Sequence, residues 1–308
     1  MAAQNAQDAP WTVARLLAWT REHFERQQIE SPRLCAEILL AHALGCPRIQ
    51  LFTQYERVPD ANALAGFREH VKAAAGGTPV AYLVGSKEFF SLPLKVGPDV
   101  LIPRPETEIL VERAIALVRK GEAPAAPAIL DVGTGSGCIA IALARHLREA
   151  RLIAVDISAA ALRVAAENAV RHEVNSRVEF VLGDCFDHWT PADPQRPTRF
   201  DIIVSNPPYI AQNIAATLPR NVRDFEPHAA LFGGVDGLEV IRRLIVAAPQ
   251  HLRCGGHLLM EVAYDQAEAV RGLLPAASWH GVETFKDGGG HPRVVHAVRC
   301  ALEQAEVA

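Results

Sequence analysis

Apolar positions recur first at helical spacing and then in short buried runs. Trp11, Ala14, Leu16, Leu17 and Phe24 form one stripe, which predicts a first helix. Ser31-Pro32 reads as an N-cap followed by proline at the first helical position. Leu34, Ile38, Leu39 and Ala43 continue at helical spacing, and Gly45 supplies a C-cap. A third helix is predicted over 62–75, ended by Gly76-Gly77. No catalytic constellation falls within 1–77, which is expected to be a small helical bundle serving docking or packing.

The pattern then changes. Phe89, Phe90, Leu92, Leu94 and Val96 alternate around prolines, predicting a β-hairpin inside a linker over 78–105. A helix follows over 107–119, with Glu106 and Glu108 suited to its positive end. After a loop over 121–127 the spacing alternates between strand and helix, as in an α/β sheet. Strands are expected at 128–132, 151–155, 177–182, 200–204, 256–262, 281–286 and 293–299, and helices at 138–149, 159–171 and 237–252. The proline-bearing stretch 187–199 reads as an exposed loop. Residues 106–308 are thus expected to form one α/β domain.

Composition narrows the partners. The 308 residues are 49% hydrophobic and 21% charged, enough for a substantial core. Lys plus Arg number 31 against 35 Asp plus Glu, for a net charge of −4. Residues 1–85 carry 8 basic and 8 acidic side chains, and the remainder 23 and 27. Neither part has the basic excess of a dedicated nucleic-acid binder. The six cysteines, Cys35, Cys46, Cys138, Cys185, Cys254 and Cys300, form no CxxC pair and fit a reducing cytoplasm. Residues 1–10 have no signal-peptide pattern, and the most apolar stretch, 128–144, is too short and interrupted to span a bilayer. The twelve histidines are scattered, with no HExxH or paired ligand spacing, so no metal is expected. His257 and His296 read as structural strand residues, and His188 and His228 as loop residues with surface or packing roles.

Asp131-Val132-Gly133-Thr134-Gly135-Ser136-Gly137 follows an apolar strand and opens a helix. Glycines there permit a tight turn and close approach of a ligand to the backbone. A dinucleotide fingerprint would require glycine at position 138, which is Cys138; the third glycine is Gly137 instead. GxGxG after an acidic residue is more typical of S-adenosylmethionine sites than of NAD sites. Asp156 ends the next strand, where a carboxylate can accept from both ribose hydroxyls of either cofactor. Asp184, at the end of the third, is placed to accept from an adenine amino group, with the Cys185 backbone nearby. Loop solvation or helix capping is the alternative for either aspartate alone; their succession beside a glycine turn favours the cofactor.

Ser205-Asn206-Pro207-Pro208-Tyr209-Ile210 follows the buried strand at 200–204. An amide or aromatic amine nitrogen is a poor nucleophile because its lone pair is delocalised. Hydrogen bonds from its two N–H groups to the Asn206 side-chain oxygen and the Pro207 carbonyl would hold it in line with a sulfonium methyl. Two prolines stiffen the turn without requiring a backbone N–H, and Tyr209 offers an aromatic face. No strong general base is needed, because the nitrogen becomes acidic once methylated.

Further motifs stand in order: Pro79-Val80-Ala81-Tyr82-Leu83-Val84-Gly85, Phe89-Phe90, Val100-Leu101-Ile102-Pro103-Arg104-Pro105-Glu106-Thr107-Glu108, Phe225-Glu226-Pro227, Ala230-Leu231-Phe232-Gly233-Gly234 and Glu261-Val262-Ala263-Tyr264-Asp265-Gln266. With the two turns above, they make the sequence resemble the bacterial release factor glutamine methyltransferases over nearly its whole length. The resemblance implies an α/β fold: a class I S-adenosylmethionine-dependent methyltransferase domain with a small N-terminal helical bundle. That domain's Rossmann-like sheet would have seven strands, the last antiparallel. It also implies N5-methylation of the glutamine in the Gly-Gly-Gln loop of peptide-chain release factors 1 and 2. Apart from the resemblance, the chain is expected to be a cytoplasmic monomer. Gly133, Thr134, Gly135, Ser136, Gly137, Asp156, Cys185 and Asn206 would contact the cofactor, joined by Asp131 and Asp184. Asn206, Pro207, Pro208 and Tyr209 would hold the glutamine, and the segment Arg104 to Thr107 would border the site. The chain departs from the family at Asp287-Gly288-Gly289-Gly290-His291-Pro292-Arg293, where a Leu-Ala-Gly-Arg-like turn is expected.

Two other acceptors fit the turn alone. A ribosomal-protein glutamine methyltransferase would differ around the Pro-Arg-Pro-Glu-Thr segment. A DNA adenine-N6 methyltransferase would need a base-flipping surface and a recognition region, for which the chain has no spare domain. A degenerate, non-enzymatic binding module is disfavoured by the intact Gly133, Gly135, Gly137, Asp156 and Asn206.

Overall fold

The computed structural model describes residues 10–187 and 197–301. His188 lies outside the described residues, as does most of the loop expected at 187–199. The chain divides into two compact units, Met1–Gly85 with Arg220–Phe225, and Ser86–Pro219 with Glu226–Ala308. The boundary falls inside the stretch read as a linker: residues up to Gly85 group with the helices and the hairpin groups with the sheet.

In the first unit, α1 (Val13–Arg26), α2 (Pro32–Ala43), α3 (Ala61–Ala75) and α4 (Val80–Val84) surround Val13, Leu16, Phe24, Leu39, Leu40, Leu51, Phe67 and Val71. Thr12 caps α1 by accepting from the Arg15 N–H, and Asp60 caps α3 by accepting from the Asn62 and Ala63 N–H groups. Ser31 does not cap α2: it sits at φ 50° and ψ 53° and makes no side-chain cap bond. Pro32, with φ already suited to the first turn, starts that helix without it. Helix α4 lies in the first part of the stretch read as a linker, ahead of its hairpin, where no helix is expected.

The second unit opens with the hairpin β1 (Ser86–Phe89) and β2 (Leu92–Lys95). Its two-residue turn puts Phe90 and Ser91 at φ 50° and 61°, and the Phe90 N–H donates to Glu108 Oε1 at 2.7 Å. Then come α5 (Glu108–Arg119), β3 (Ala128–Val132), α6 (Cys138–His146), β4 (Arg151–Asp156), α7 (Ala159–Arg171), β5 (Val178–Leu182) and β6 (Phe200–Ser205). The short helices α8 (Arg220–Arg223) and α9 (His228–Leu231) precede α10 (Glu239–His251), β7 (Leu252–Glu261), α11 (Ala267–Gly272), β8 (Trp279–Lys286) and β9 (Pro292–Arg299). Helix α8 belongs to the first unit.

Among the described residues seven strands form one sheet in the order β5-β4-β3-β6-β7-β9-β8, parallel except at β9. This is the expected class I methyltransferase sheet. Alternate residues enter two cores. Ile129, Leu152, Ala154, Ile202, Val204 and Leu259 pack with α5 and α6; Leu130, Val132, Ile153, Val155, Ile203 and Met260 pack with α10 and α11. Burial on both faces explains the near-continuous apolar runs. The chain reverses direction across the sheet between β3 and β6, the position at which open α/β sheets bind ligands. His257 and His296 pair at 3.0 Å within the sheet, a structural contact as expected.

Candidate active site

The glycine turn leaves β3 at that reversal. Asp131 is fully buried and braces the turn: Oδ2 accepts from Thr134 Oγ1 at 2.7 Å and from the Ala140 N–H at 3.2 Å. Burial pushes its pKa up to about 7. Thr134 and Ser136 are buried, and the Gly133 and Thr134 N–H groups donate to the Val155 carbonyl. Gly137 needs to be glycine: at φ 81°, a β-carbon would stand 2.9 Å from Ile141 Cδ1 and 3.1 Å from Ala165 Cβ. A β-carbon at Gly135 would instead meet nothing within 4 Å, so the turn's outer side is open.

Asp156 stands at the end of β4 facing this turn. Its Oδ2 accepts from the Gly135 N–H and its Oδ1 from the Ser158 N–H, each at 2.8 Å. Each oxygen keeps a second lone pair for a further donor. Burial raises its pKa. Asp184 is ion-paired to Arg243 at 3.0 Å, which orients the carboxylate expected to accept from an adenine amino group. Cys185 follows at φ 52° with its thiol pushed up to about 11 by burial, so it is a packing group rather than a nucleophile. An open glycine cradle, a carboxylate with spare acceptor capacity and a second acidic strand end suit a nucleoside-bearing methyl donor.

Asn206, Pro207, Pro208 and Tyr209 leave β6 beside the cradle. Asn206 Nδ2 donates to Thr107 Oγ1 at 3.0 Å, which turns its Oδ1 away as the acceptor end. Pro207 is buried, and the Ser205 hydroxyl ties the strand end to the Val132 carbonyl at 2.7 Å. The turn is seated on a glycine-bearing loop. The Ile210 N–H donates to the Leu231 carbonyl, the Gly233 N–H donates to the Ile210 carbonyl, and Gln266 Nε2 donates to the Tyr209 carbonyl at 2.9 Å. A β-carbon at Gly233 would fall 2.3 Å from the Pro208 carbonyl. The Tyr209 hydroxyl donates to Glu261 Oε1 at 3.3 Å, and burial raises its pKa.

Several residues here had no assigned role from the sequence. Thr107 is buried over Asn206, and Glu261 is 1% exposed. Asn168 on α7 holds the glycine turn to the hairpin, donating to the Ser136 and Lys95 carbonyls and accepting from the Lys95 N–H. Glu226, also buried, clamps Arg104 at 2.6 Å and accepts from the Ile102 N–H, fixing the segment that leads into Thr107. The unusual turn at 287–293 is braced internally: Asp287 accepts from the Gly289 and His291 N–H groups and from Arg293 Nε, each at 2.9 Å. The Arg293 charge acts on both Tyr209 and Glu261. Among the described residues no group of three or more His, Cys, Asp or Glu is placed to hold a metal ion, and no helix is long and apolar enough to cross a membrane.

Two family models match this chain: the PrmC N-terminal domain over residues 15–85 and the methyltransferase small domain over 110–223. The chain is 44% identical over 296 residues to the release factor glutamine methyltransferase of Rhodopirellula baltica, covering 95% of this chain and 98% of the relative. The chain belongs to the release factor glutamine methyltransferase family. The family member of Geobacter sulfurreducens is 40% identical, over 92% of this chain and 96% of that one. Among solved structures, the hMettl16 catalytic domain in complex with a MAT2A 3′UTR hairpin shares the fold at a TM-score of 0.53 and 15% identity, covering 77% of this chain and 83% of that one. The chain is therefore a methyltransferase in both sequence family and fold.

Proposed function

We propose that this protein transfers a methyl group from S-adenosylmethionine to the side-chain N5 of the glutamine in the Gly-Gly-Gln motif of peptide-chain release factors 1 and 2. The observation that carries this reading is the Asn206 amide, fixed by Thr107 with its oxygen as the acceptor end, on a proline-stiffened turn beside an open glycine cradle. The names of the relatives supply the acceptor protein.

Asp131, Gly133, Thr134, Gly135, Ser136 and Gly137 would cradle the methyl donor. Asp156 would accept from its ribose hydroxyls, and Asp184 and Cys185 would meet its adenine. The donor, when bound, supplies an electrophilic sulfonium methyl. Asn206 Oδ1 and the Pro207 carbonyl accept from the two N–H groups of the glutamine amide and so aim its nitrogen. Pro208 and Tyr209 wall the planar amide. Orientation supplies the rate, and the proton leaves the methylated nitrogen for solvent without a dedicated base. No metal takes part.

Residues 1–77 would dock the acceptor protein, 78–105 would link, and 106–308 would carry the chemistry. The helical unit has a cavity of about 350 Å³ lined by Trp11, Trp19, His23 and Phe67 that suits such docking. The enzyme would work in the cytoplasm as a monomer, without contacting nucleic acid directly. Purified protein with labelled donor is offered a release factor, its Gln-substituted form, a ribosomal protein and DNA. Label on the release factor that vanishes with the Gln substitution is expected; label on DNA alone, or on the ribosomal protein alone, overturns the reading.

A further inference from the structure

Strand alternation aims Asp131, Asn206 and Glu261 toward the same face, because each keeps the parity of Ile129, Val204 and Leu259, which pack with α5 and α6. Thr107, just before α5, sits over that face. Asn206 Nδ2 donates to the Thr107 hydroxyl at 3.0 Å. The Thr107 hydroxyl faces the Glu261 carboxyl, whose Oε1 accepts from the Tyr209 hydroxyl at 3.3 Å. Glu261 is 1% exposed, and its Oε2 has no hydrogen-bond partner among the described residues, while Thr107, already accepting from Asn206, has its own proton to give. Tyr209 is thus tied to this buried acid directly, and Asn206 is tied to the hydroxyl that faces it.

We propose that Glu261 is a positioning residue: as a carboxylate it takes the protons of Thr107 and Tyr209 and thereby fixes which end of the Asn206 amide faces the acceptor nitrogen. The inference rests on the amide-nitrogen reading above. A hydroxyl has one proton and two lone pairs. While Thr107 gives its proton to Glu261, only lone pairs face Asn206, and Asn206 must present Nδ2 to them. Oδ1 is then left for the substrate N–H. If the carboxyl is protonated, or replaced by an amide that donates, the Thr107 proton is free to swing toward Asn206. The Asn206 amide can then flip and point its own N–H groups at the substrate N–H groups, and the nitrogen is no longer gripped.

The groups facing Glu261 are Thr107, Tyr209, Glu106, Arg293 and the Cys138 thiol. Burial raises the Glu261 pKa to about 7, against the pull of the two hydroxyls and Arg293. The carboxylate form is therefore lost as pH falls through that value. Asp131 also titrates near there, but it braces the cofactor turn, so measurement at saturating methyl donor separates the two.

The test compares Glu261→Gln, Thr107→Val and Thr107→Ser with the parent enzyme, using labelled donor and a release factor. Glu261→Gln and Thr107→Val are each expected to lower kcat by about 10- to 100-fold, as a displaced reacting group does. Donor affinity by calorimetry stays unchanged and the double variant falls no further than either single one. Thr107→Ser restores kcat, and the acid limb of the parent's kcat profile near pH 7 flattens in Glu261→Gln. Parental kcat and an unchanged pH profile in a folded Glu261→Gln overturn the inference. If that variant does not fold, Thr107→Val with parental kcat overturns it equally. A parent enzyme that labels no glutamine at all fails the functional reading instead, which the wild-type lane shows by itself.

Discussion

Gly237 tests the geometry of the 206–209 turn without altering any residue in it. A β-carbon there would stand 2.2 Å from the Tyr209 carbonyl oxygen and 2.8 Å from Gln266 Nε2, at φ 76°. Carbon and oxygen in contact sit at about 3.3 Å, so in Gly237→Ala the Tyr209 carbonyl must retreat by about 1 Å. It also strains its bond from Gln266, now 2.9 Å. A displacement of that size near reacting atoms costs about 100-fold in rate, or about 2.7 kcal/mol of transition-state stabilisation. The left-handed backbone adds a separate cost of about 1–2 kcal/mol to folding.

Gly121→Ala isolates that second cost. Gly121 has φ 75° but nothing within 4 Å of its would-be β-carbon. Both variants should lower Tm by a few degrees in scanning calorimetry. Only Gly237→Ala should lose kcat for labelled methyl transfer to a release factor at saturating donor. A Gly237→Ala enzyme whose kcat stays within about twofold of Gly121→Ala, under 0.5 kcal/mol, would refute the idea that the seating of the turn carries the transfer.

Asn206→Ala removes the acceptor oxygen and should lower kcat by at least about 100-fold while the melting transition stays cooperative; near-normal turnover would sink the mechanism. Asp156→Ala should weaken methyl-donor affinity by about tenfold or more, since a hydrogen-bonded carboxylate is worth about 1.5–3 kcal/mol, and unchanged affinity by calorimetry would count against the cofactor assignment. Burial lowers the His296 pKa from 6.5 to about 4. The unfolded chain therefore binds the proton first, and stability present above pH 6.5 is lost as pH falls toward 4, on the order of 3 kcal/mol from this residue. Urea unfolding across that range should show the slope in the parent and a weaker one in His296→Gln; equal slopes would exclude the residue as its source.

The sheet was legible because strands buried on both faces read as apolar runs, and Ile129 to Val132 or Ile202 to Val204 show this directly. The two turns were legible because their chemistry is contiguous: glycines or prolines in a row set a local backbone. What escaped lies in partnerships across the chain. Thr107 meets Asn206 across 99 positions, and Asn168 meets Lys95 across 73. Such pairs exist only once strand order and register are set. Short elements escaped for a different reason. Helices α4, α8 and α9 span 5, 4 and 4 residues, too few for a periodic stripe. Strand β7 begins at Leu252 rather than at 256 because Leu252 pairs with Phe200 ahead of a register shift.

The same register explains why the candidate site is costly to build. The ends of β3 and β7 place Asp131 and Glu261 where water does not reach, and burial raises both to about 7. A carboxyl raised in the folded state binds its proton more tightly there than in the unfolded chain. Its contribution to stability is therefore complete below pH about 4 and is lost as pH rises through about 7. The ionised forms that orient Thr134 and Thr107 are thus the destabilised forms. Hydrogen bonds from Thr134, the Ala140 N–H and Tyr209 offset that cost in part, and each of these donors lies at one of the two turns or braces it. Donors placed to relieve a buried charge are at the same time held by it. Orientation at the cradle and at the Asn206 amide is accordingly bought with folding stability.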